Sequence, residues 1–111
     1  MAKFRMGGEV VDLKFSTYTN GTLAAMAYDE DGYTYAVLSK NLVDETPTNE
    51  YCVFIDENNL GEYNVIDTLI NKGYGKPTGA MGLSGFCIYP EFEFNKDIVT
   101  NNQLVEEGLF C

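Results

Sequence analysis

Two glutamates, Glu91 and Glu93, stand two residues apart in the run Phe86-Cys-Ile-Tyr-Pro-Glu-Phe-Glu-Phe94. Side chains of a strand alternate between its faces, so both carboxyls share one face, opposite the Phe set. Paired carboxyls on one face can serve acid–base work, glycoside hydrolysis included. They are more simply the wet face of an amphipathic strand, and that plainer reading is preferred. Asp29-Glu30-Asp31 is a second cluster. Clustered carboxylates suit Ca²⁺ or Mg²⁺, but the alternating ligands, central Gly and terminal Glu of an EF-hand loop are missing, and a solvated hairpin tip accounts for the segment. Gly79-Ala-Met-Gly-Leu-Ser-Gly85 has the look of a phosphate loop. It precedes a strand instead of opening a helix, and no Lys-Ser/Thr pair follows, so the backbone cradle that a phosphate needs is not expected.

The chain contains no histidine. That removes the commonest general base and metal ligand, and with it the usual Ser or Cys triad and any Cys/His zinc site. The serines are Ser16, Ser39 and Ser84, none in a nucleophile elbow. Cys52, Cys87 and Cys111 form no CxxC pair. In a reducing compartment all three are thiols; Cys52 and Cys87 read as small buried hydrophobes within apolar runs, and Cys111 as an exposed residue. No catalytic residue, cofactor or metal is implied, and the chain is read as a binding protein.

Seventeen acidic residues against seven basic ones leave a net charge of −10. Such a field repels phosphate backbones, which argues against direct nucleic-acid binding, and attracts basic protein surfaces. Acidity kept only for solubility is the competing explanation. Eight tyrosines and no tryptophan are present, with Tyr18, Tyr28, Tyr33 and Tyr35 around one predicted hairpin; tyrosine suits both interfaces and half-buried strands. No run of about 18 apolar residues exists, so no membrane span is expected. No apolar stretch follows Met1–Arg5, so no signal peptide is expected and a cytoplasmic location is inferred.

The elements that must position these residues form one α+β domain, residues 1–111, with a core over 9–95 and a tail over 96–111. Gly7-Gly8 sets a short segment, Lys3–Met6, apart from a strand in which Val11, Leu13 and Phe15 alternate with polar residues. Leu23–Tyr28 and Tyr33–Ser39 are strands joined by a hairpin at Asp29–Gly32. Lys40–Glu50 reads as a loop. Tyr51–Ile55, apolar throughout, is a central strand. One principal helix spans Leu60–Lys72 with Val65, Ile66, Leu69 and Ile70 on its inner face and Gly73 as its C-cap. Gly73–Gly85 is a long pliable connection. Phe86–Phe94 is a strand in which Phe86, Ile88, Pro90, Phe92 and Phe94 share a face; Pro90 makes it an edge, or bulged or broken there. A short helix around Gln103–Glu107, or an extended arm, completes the chain. The sum is a mainly antiparallel sheet of about five strands with the helix packed on one face.

Three stretches carry a family resemblance: Ser16-Thr-Tyr-Thr-Asn-Gly-Thr-Leu-Ala-Ala through Tyr35-Ala-Val-Leu-Ser-Lys-Asn-Leu42, Val53-Phe-Ile-Asp-Glu-Asn-Asn-Leu-Gly61, and Ser84-Gly-Phe-Cys-Ile-Tyr-Pro-Glu-Phe-Glu-Phe94. Their order and spacing resemble an uncharacterised family of small acidic bacterial proteins carried on plasmids, phages and integrated elements. The resemblance covers residues 9 to 95 and leaves the tail from Lys96 uncovered. It supplies no catalytic residues. The setting it implies is counter-defence, including anti-CRISPR and anti-restriction proteins, some of which set carboxylates where a nuclease expects phosphates. A CRISPR effector holds nucleic acid in basic channels, so the implied partner is a basic protein surface of that kind. The implied contacts are Asp29, Glu30, Asp31, Tyr33, Asp44, Glu45, Glu91 and Glu93. Two other readings stand beside it: a regulatory module of a mobile element, with a homodimer pairing through the strand ending at Phe94 as one form of it, and a small-ligand binder using the Gly-rich connection and the Tyr cluster. The protein is expected to be a monomer or a homodimer.

Overall fold

A computed structural model describes residues 2–104. The first sheet begins with β1 (Ala2–Met6), which turns through Gly7 and Gly8, both at positive φ, into β2 (Glu9–Thr17). β3 (Leu23–Tyr28) and β4 (Thr34–Val37) follow, and the order is β1-β2-β3-β4, antiparallel throughout. The second sheet has the order β5-β6-β8-β7, built from β5 (Ser39–Lys40), β6 (Cys52–Ile55), β7 (Gly75–Ser84) and β8 (Cys87–Phe94), again antiparallel. The expected single sheet of about five strands is therefore corrected to two four-stranded sheets; the α+β, mainly antiparallel class holds. β1 is one strand the sequence hid. Its Ala2, Phe4 and Met6 alternate with exposed Lys3 and Arg5, a pattern too short to stand out beside a double glycine.

Leu38 joins the sheets: its N–H donates to Ala25 O (2.8 Å) and its carbonyl accepts from Asp56 N (2.9 Å). Between the sheets lie Phe4, Leu13, Phe15 and Ala27 from the first and Val53, Ile55, Phe92 and Phe94 from the second. The Phe94 ring meets Phe15 and Phe92 edge-on, each with centroids 4.9 Å apart, the geometry that the ring quadrupole favours.

The predicted Leu60–Lys72 helix is broken in two. α1 (Glu57–Leu60) runs into a 3₁₀ turn at Gly61–Tyr63, and Asn64, left-handed at φ 51°, starts α2 (Val65–Asn71). Asn is one of the few residues besides glycine that visits that conformation, and here the Asn64 backbone N–H donates to Gly61 O (3.2 Å). Of the predicted inner face only Val65 and Leu69 are buried, while Ile70 is exposed. The C-terminus is as expected: Gly73 at φ 75° closes a Schellman motif, Gly73 N to Ile70 O and Tyr74 N to Leu69 O. α2 touches β1 and β7, the outer strands of the two sheets, and the Tyr74 hydroxyl donates to Lys3 O (2.7 Å) across the same gap.

The Gly-rich connection is also corrected. Residues 75–84 form β7, with pairing irregular between Pro77 and Met81. Gly and Pro are poor strand formers, but an edge strand tolerates them at a bulge. Gly82 is there for close approach: a Cβ on it would collide with Leu42 and lie 3.0 Å from the Phe54 ring. Pro90 sits in β8, an inner strand and not an edge. Phe94 N donates to Tyr51 O, so alternation aims the missing Pro90 N–H at the β6 side, beyond the last β6–β8 pair, Phe54 opposite Glu91. No ladder bond is lost. α3 (Lys96–Asn101) follows β8. Gln103 then bridges Phe15 in parallel, with Leu104 N donating to Phe15 O (2.7 Å). The expected helix at Gln103–Glu107 is thus contradicted at Gln103 and Leu104; residues 105–107, like Cys111, lie outside the described residues. Among the described residues no helix is long and apolar enough to cross a membrane.

Candidate functional site

The eight implied contact residues fall into three groups. At the β3–β4 tip, Asp29 Oδ1 accepts from the N–H groups of Asp31 and Tyr33, both at 2.9 Å, and Gly32 takes φ 87°. Asp29 therefore builds the turn. Glu30 and Asp31 are exposed beside it, as is Tyr33. Asp44, also exposed, belongs to the loop that follows β5. β4 and β5, about 20 Å of strand by rise over residues 34–40, lie between the tip and that loop.

The third group, Glu45, Glu91 and Glu93, is engaged inside the fold. Glu45 Oε2 accepts from Leu83 N (2.9 Å), and Glu93 Oε2 accepts from Asn49 Nδ2 (2.8 Å). Glu91 is only 1% exposed, which overturns the expected wet face. Its two oxygens accept from Thr48 N (2.8 Å), Thr48 Oγ1 (2.7 Å) and Thr78 Oγ1 (2.6 Å). Burial alone pushes its pKa up, but the bonds from Thr78 and Thr48 outweigh that and hold it below the ordinary glutamate value. The alternation of β8 was read correctly; what it cannot show is that the 41–50 loop lies on the Glu face. These three carboxylates fasten that loop to β7 and β8.

Beside the loop, Tyr18, Val37, Ser39, Lys40, Asn41, Val43 and Asp56 line an open pocket of about 390 Å³. Tyr18 OH and Ser39 Oγ are 2.8 Å apart, and Ser39 Oγ also accepts from Ala25 N. Burial raises the Tyr18 phenol, with Asp56 adding to the rise, so it stays protonated at neutral pH. Burial likewise raises the Cys52 thiol, which suppresses the thiolate that reactivity needs. Among the described residues no group of three or more acidic or Cys side chains is placed to hold a metal ion.

Two features lay beyond the sequence-based set. Among the described residues only Lys3 and Asp12 form an ion pair, at 3.4 Å, so no other carboxylate among them is held directly by a Lys or Arg. Large exposed apolar side chains also gather at one place, the β7–β8 hairpin: Met81, Leu83, Phe86 and Ile88. The sequence carried a signal for them, since Phe86 and Ile88 continue the alternation of Phe92 and Phe94 past the end of the core.

Fold and surface together define a small antiparallel α+β domain with a strong, largely unpaired acidic charge. The chain belongs to the family described as Domain of unknown function (DUF4313), which matches residues 12–110. The match reaches into the tail, beyond the 9–95 span of the resemblance read from sequence. No curated protein and no solved structure matches the chain.

Proposed function

We propose that this protein is a non-catalytic anti-defence inhibitor that binds a bacterial immune nuclease, a CRISPR effector, and occludes its DNA- or guide-binding surface. The observation that carries the reading is the uncancelled charge: −10 over the chain, with one ion pair among the described residues. An acidic body of this kind is drawn to the positively charged channels in which such effectors hold nucleic acid. The sequence resemblance to small acidic proteins of mobile elements supplies the biological setting. Glu30, Asp31, Tyr33 and Asp44 are the free contact residues. Asp29, Glu45, Glu91 and Glu93 act indirectly, by shaping the tip and the loop that present them.

The test is DNA cleavage by purified effector–guide complexes, with the protein titrated in at about 0.1 M and about 0.5 M salt. Inhibition is expected at near-stoichiometric ratios, weaker at high salt, and weaker again in the variant Glu30→Gln/Asp31→Asn/Asp44→Asn. Absence of binding and inhibition across CRISPR effectors and restriction nucleases at low salt sinks the reading.

A further inference from the structure

We infer that the β7–β8 hairpin is an anchoring site for a protein partner whose contact surface is an apolar socket with a basic rim. Leu83 is paired directly opposite Ile88, and Met81 opposite Pro90. Residues two apart on a strand share a face, so these four side chains form one surface, and Phe86 stands at its end in the turn after Gly85 (φ 60°). Met81, Leu83 and Ile88 are 62%, 59% and 52% exposed, and Phe86 is fully exposed. Together the four large side chains bare on the order of 500 Å², at the upper end for the largest apolar patch on a monomer, where such patches are often functional.

The edge of the same hairpin is guarded. Pro77 has no N–H to offer, Ala80 N donates to Thr78 Oγ1 (3.2 Å), Leu83 N donates to Glu45 Oε2 (2.9 Å), and the pairing is irregular from Pro77 to Met81. These are the devices that stop strand-to-strand addition. A second copy adding a strand to β7 is thus obstructed, while the apolar side chains beside that edge stay bare. The charge points the same way. No Lys or Arg occurs between Pro77 and Asn95. Asp44 lines a groove of about 300 Å³ with Leu83, Ser84 and Gly85, joined there by Val43 and one cation, Lys40. On the other side Asn58 Nδ2 donates to Ile88 O (3.3 Å), which brings in the start of α1 with Glu57. An apolar centre of this size falls short of the roughly 800 Å² per partner of a stable interface, so the acidic rim must take part. Two copies would repel there; Lys and Arg on a different protein would be attracted.

This inference names the contact through which the proposed inhibition would act, and so rests partly on that reading; its experiment separates the two. A photo-crosslinking phenylalanine analogue is placed at Phe86, and in a parallel protein at Tyr33, in bacterial cells carrying CRISPR and restriction systems. The expected result is one adduct from position 86, attached beside Lys or Arg of the partner. Excess wild-type protein competes it away, and the Leu83→Ser/Ile88→Ser variant does not. With the purified partner, Phe86→Ser weakens binding at least about thirty-fold, corresponding to about 2 kcal/mol, with the melting temperature unchanged because Phe86 makes no core contact. If the adduct is a protein other than an immune nuclease, the functional proposal falls and the docking site stands. An adduct to a second copy, an adduct from Tyr33 alone, no adduct from either position, or equal competition by the double variant when its fold is intact by circular dichroism overturns the docking site. Full inhibition by Phe86→Ser overturns it too, and leaves the functional proposal in place.

Discussion

The β3–β4 hairpin turns at Asp29–Gly32 and the β7–β8 hairpin at Gly85–Phe86, and in each a glycine at positive φ makes the turn possible (87° at Gly32, 60° at Gly85). Their dress is opposite. The first tip is acidic, and its Asp29 spends its carboxylate on the backbone N–H groups of Asp31 and Tyr33. The second has a bare Phe86, with Leu83 and Ile88 as an exposed cross-strand pair behind it. Turn geometry sets where a hairpin ends; the bonds its side chains leave unmade set what it can offer a partner. The acidic tip supplies long-range attraction and little contact area. The apolar tip supplies contact area and no charge of its own.

The widest gap should appear between β8 and the turn that precedes it. Phe92→Ala, which empties a fully buried site, is expected to cost about 3–5 kcal/mol in urea unfolding, whereas Phe86→Ala in that turn should stay within about 0.5 kcal/mol. Comparable losses at the two positions would show that the bare end is packed in solution.

Carboxylates divide in the same manner. Glu91→Ala strands Thr48 and Thr78 donors and is expected to cost on the order of 3 kcal/mol, while Glu30→Ala should be nearly neutral. The acid limb follows from the sign of the Glu91 shift. Its folded pKa lies below the unfolded value, so its stabilisation is complete above the ordinary glutamate range. That stabilisation declines as pH falls through the range and is gone below the depressed folded value. Glu91→Gln should flatten the dependence of unfolding free energy on pH below about pH 5.

Asp29→Ala, which removes the acceptor of two backbone N–H groups, should cost about 1 kcal/mol, against almost nothing for Asp31→Ala. Smallest of all is the kinetic effect of the tip: Glu30→Gln/Asp31→Asn should slow association with a basic partner by roughly two- to five-fold at low salt, with dissociation little changed. Stopped-flow mixing at two salt concentrations measures it. A larger effect on dissociation would mean that the tip is buried in the complex.

Sequence periodicity made several elements legible. The alternation in β2, the Asp29–Gly32 turn, the apolar β6 and the Gly73 cap follow from local rules, and the structure has each of them. β7 was illegible because glycine and proline argue against strands; only the third dimension shows Gly82 pressed on Leu42 and Phe54. The helix break was hidden because its hydrophobic spacing continues across Asn64. Of the candidate site, the tip was readable because its chemistry is contained within five consecutive residues. Glu91 was not, because its partners Thr48 and Thr78 come from 43 residues and 13 residues away. Phe86 was expected to open the last strand, but that strand begins at Cys87 and Phe86 lies in the turn before it; alternation cannot show where pairing starts.

The bridge between Phe15 and Gln103 has a topological consequence. β1 pairs with β2 only as far as Ala2 opposite Leu13, and Gln103 takes up the line two residues further along β2. Ala2 and Gln103 thus lie in sequence along one side of the same strand, about 7 Å apart by strand rise, although a hundred residues separate them along the chain. The path is nearly a ring. A circular permutant that links these two points and opens between Glu30 and Asp31 cuts none of the strand pairings; it would open the acidic tip and leave the apolar one continuous.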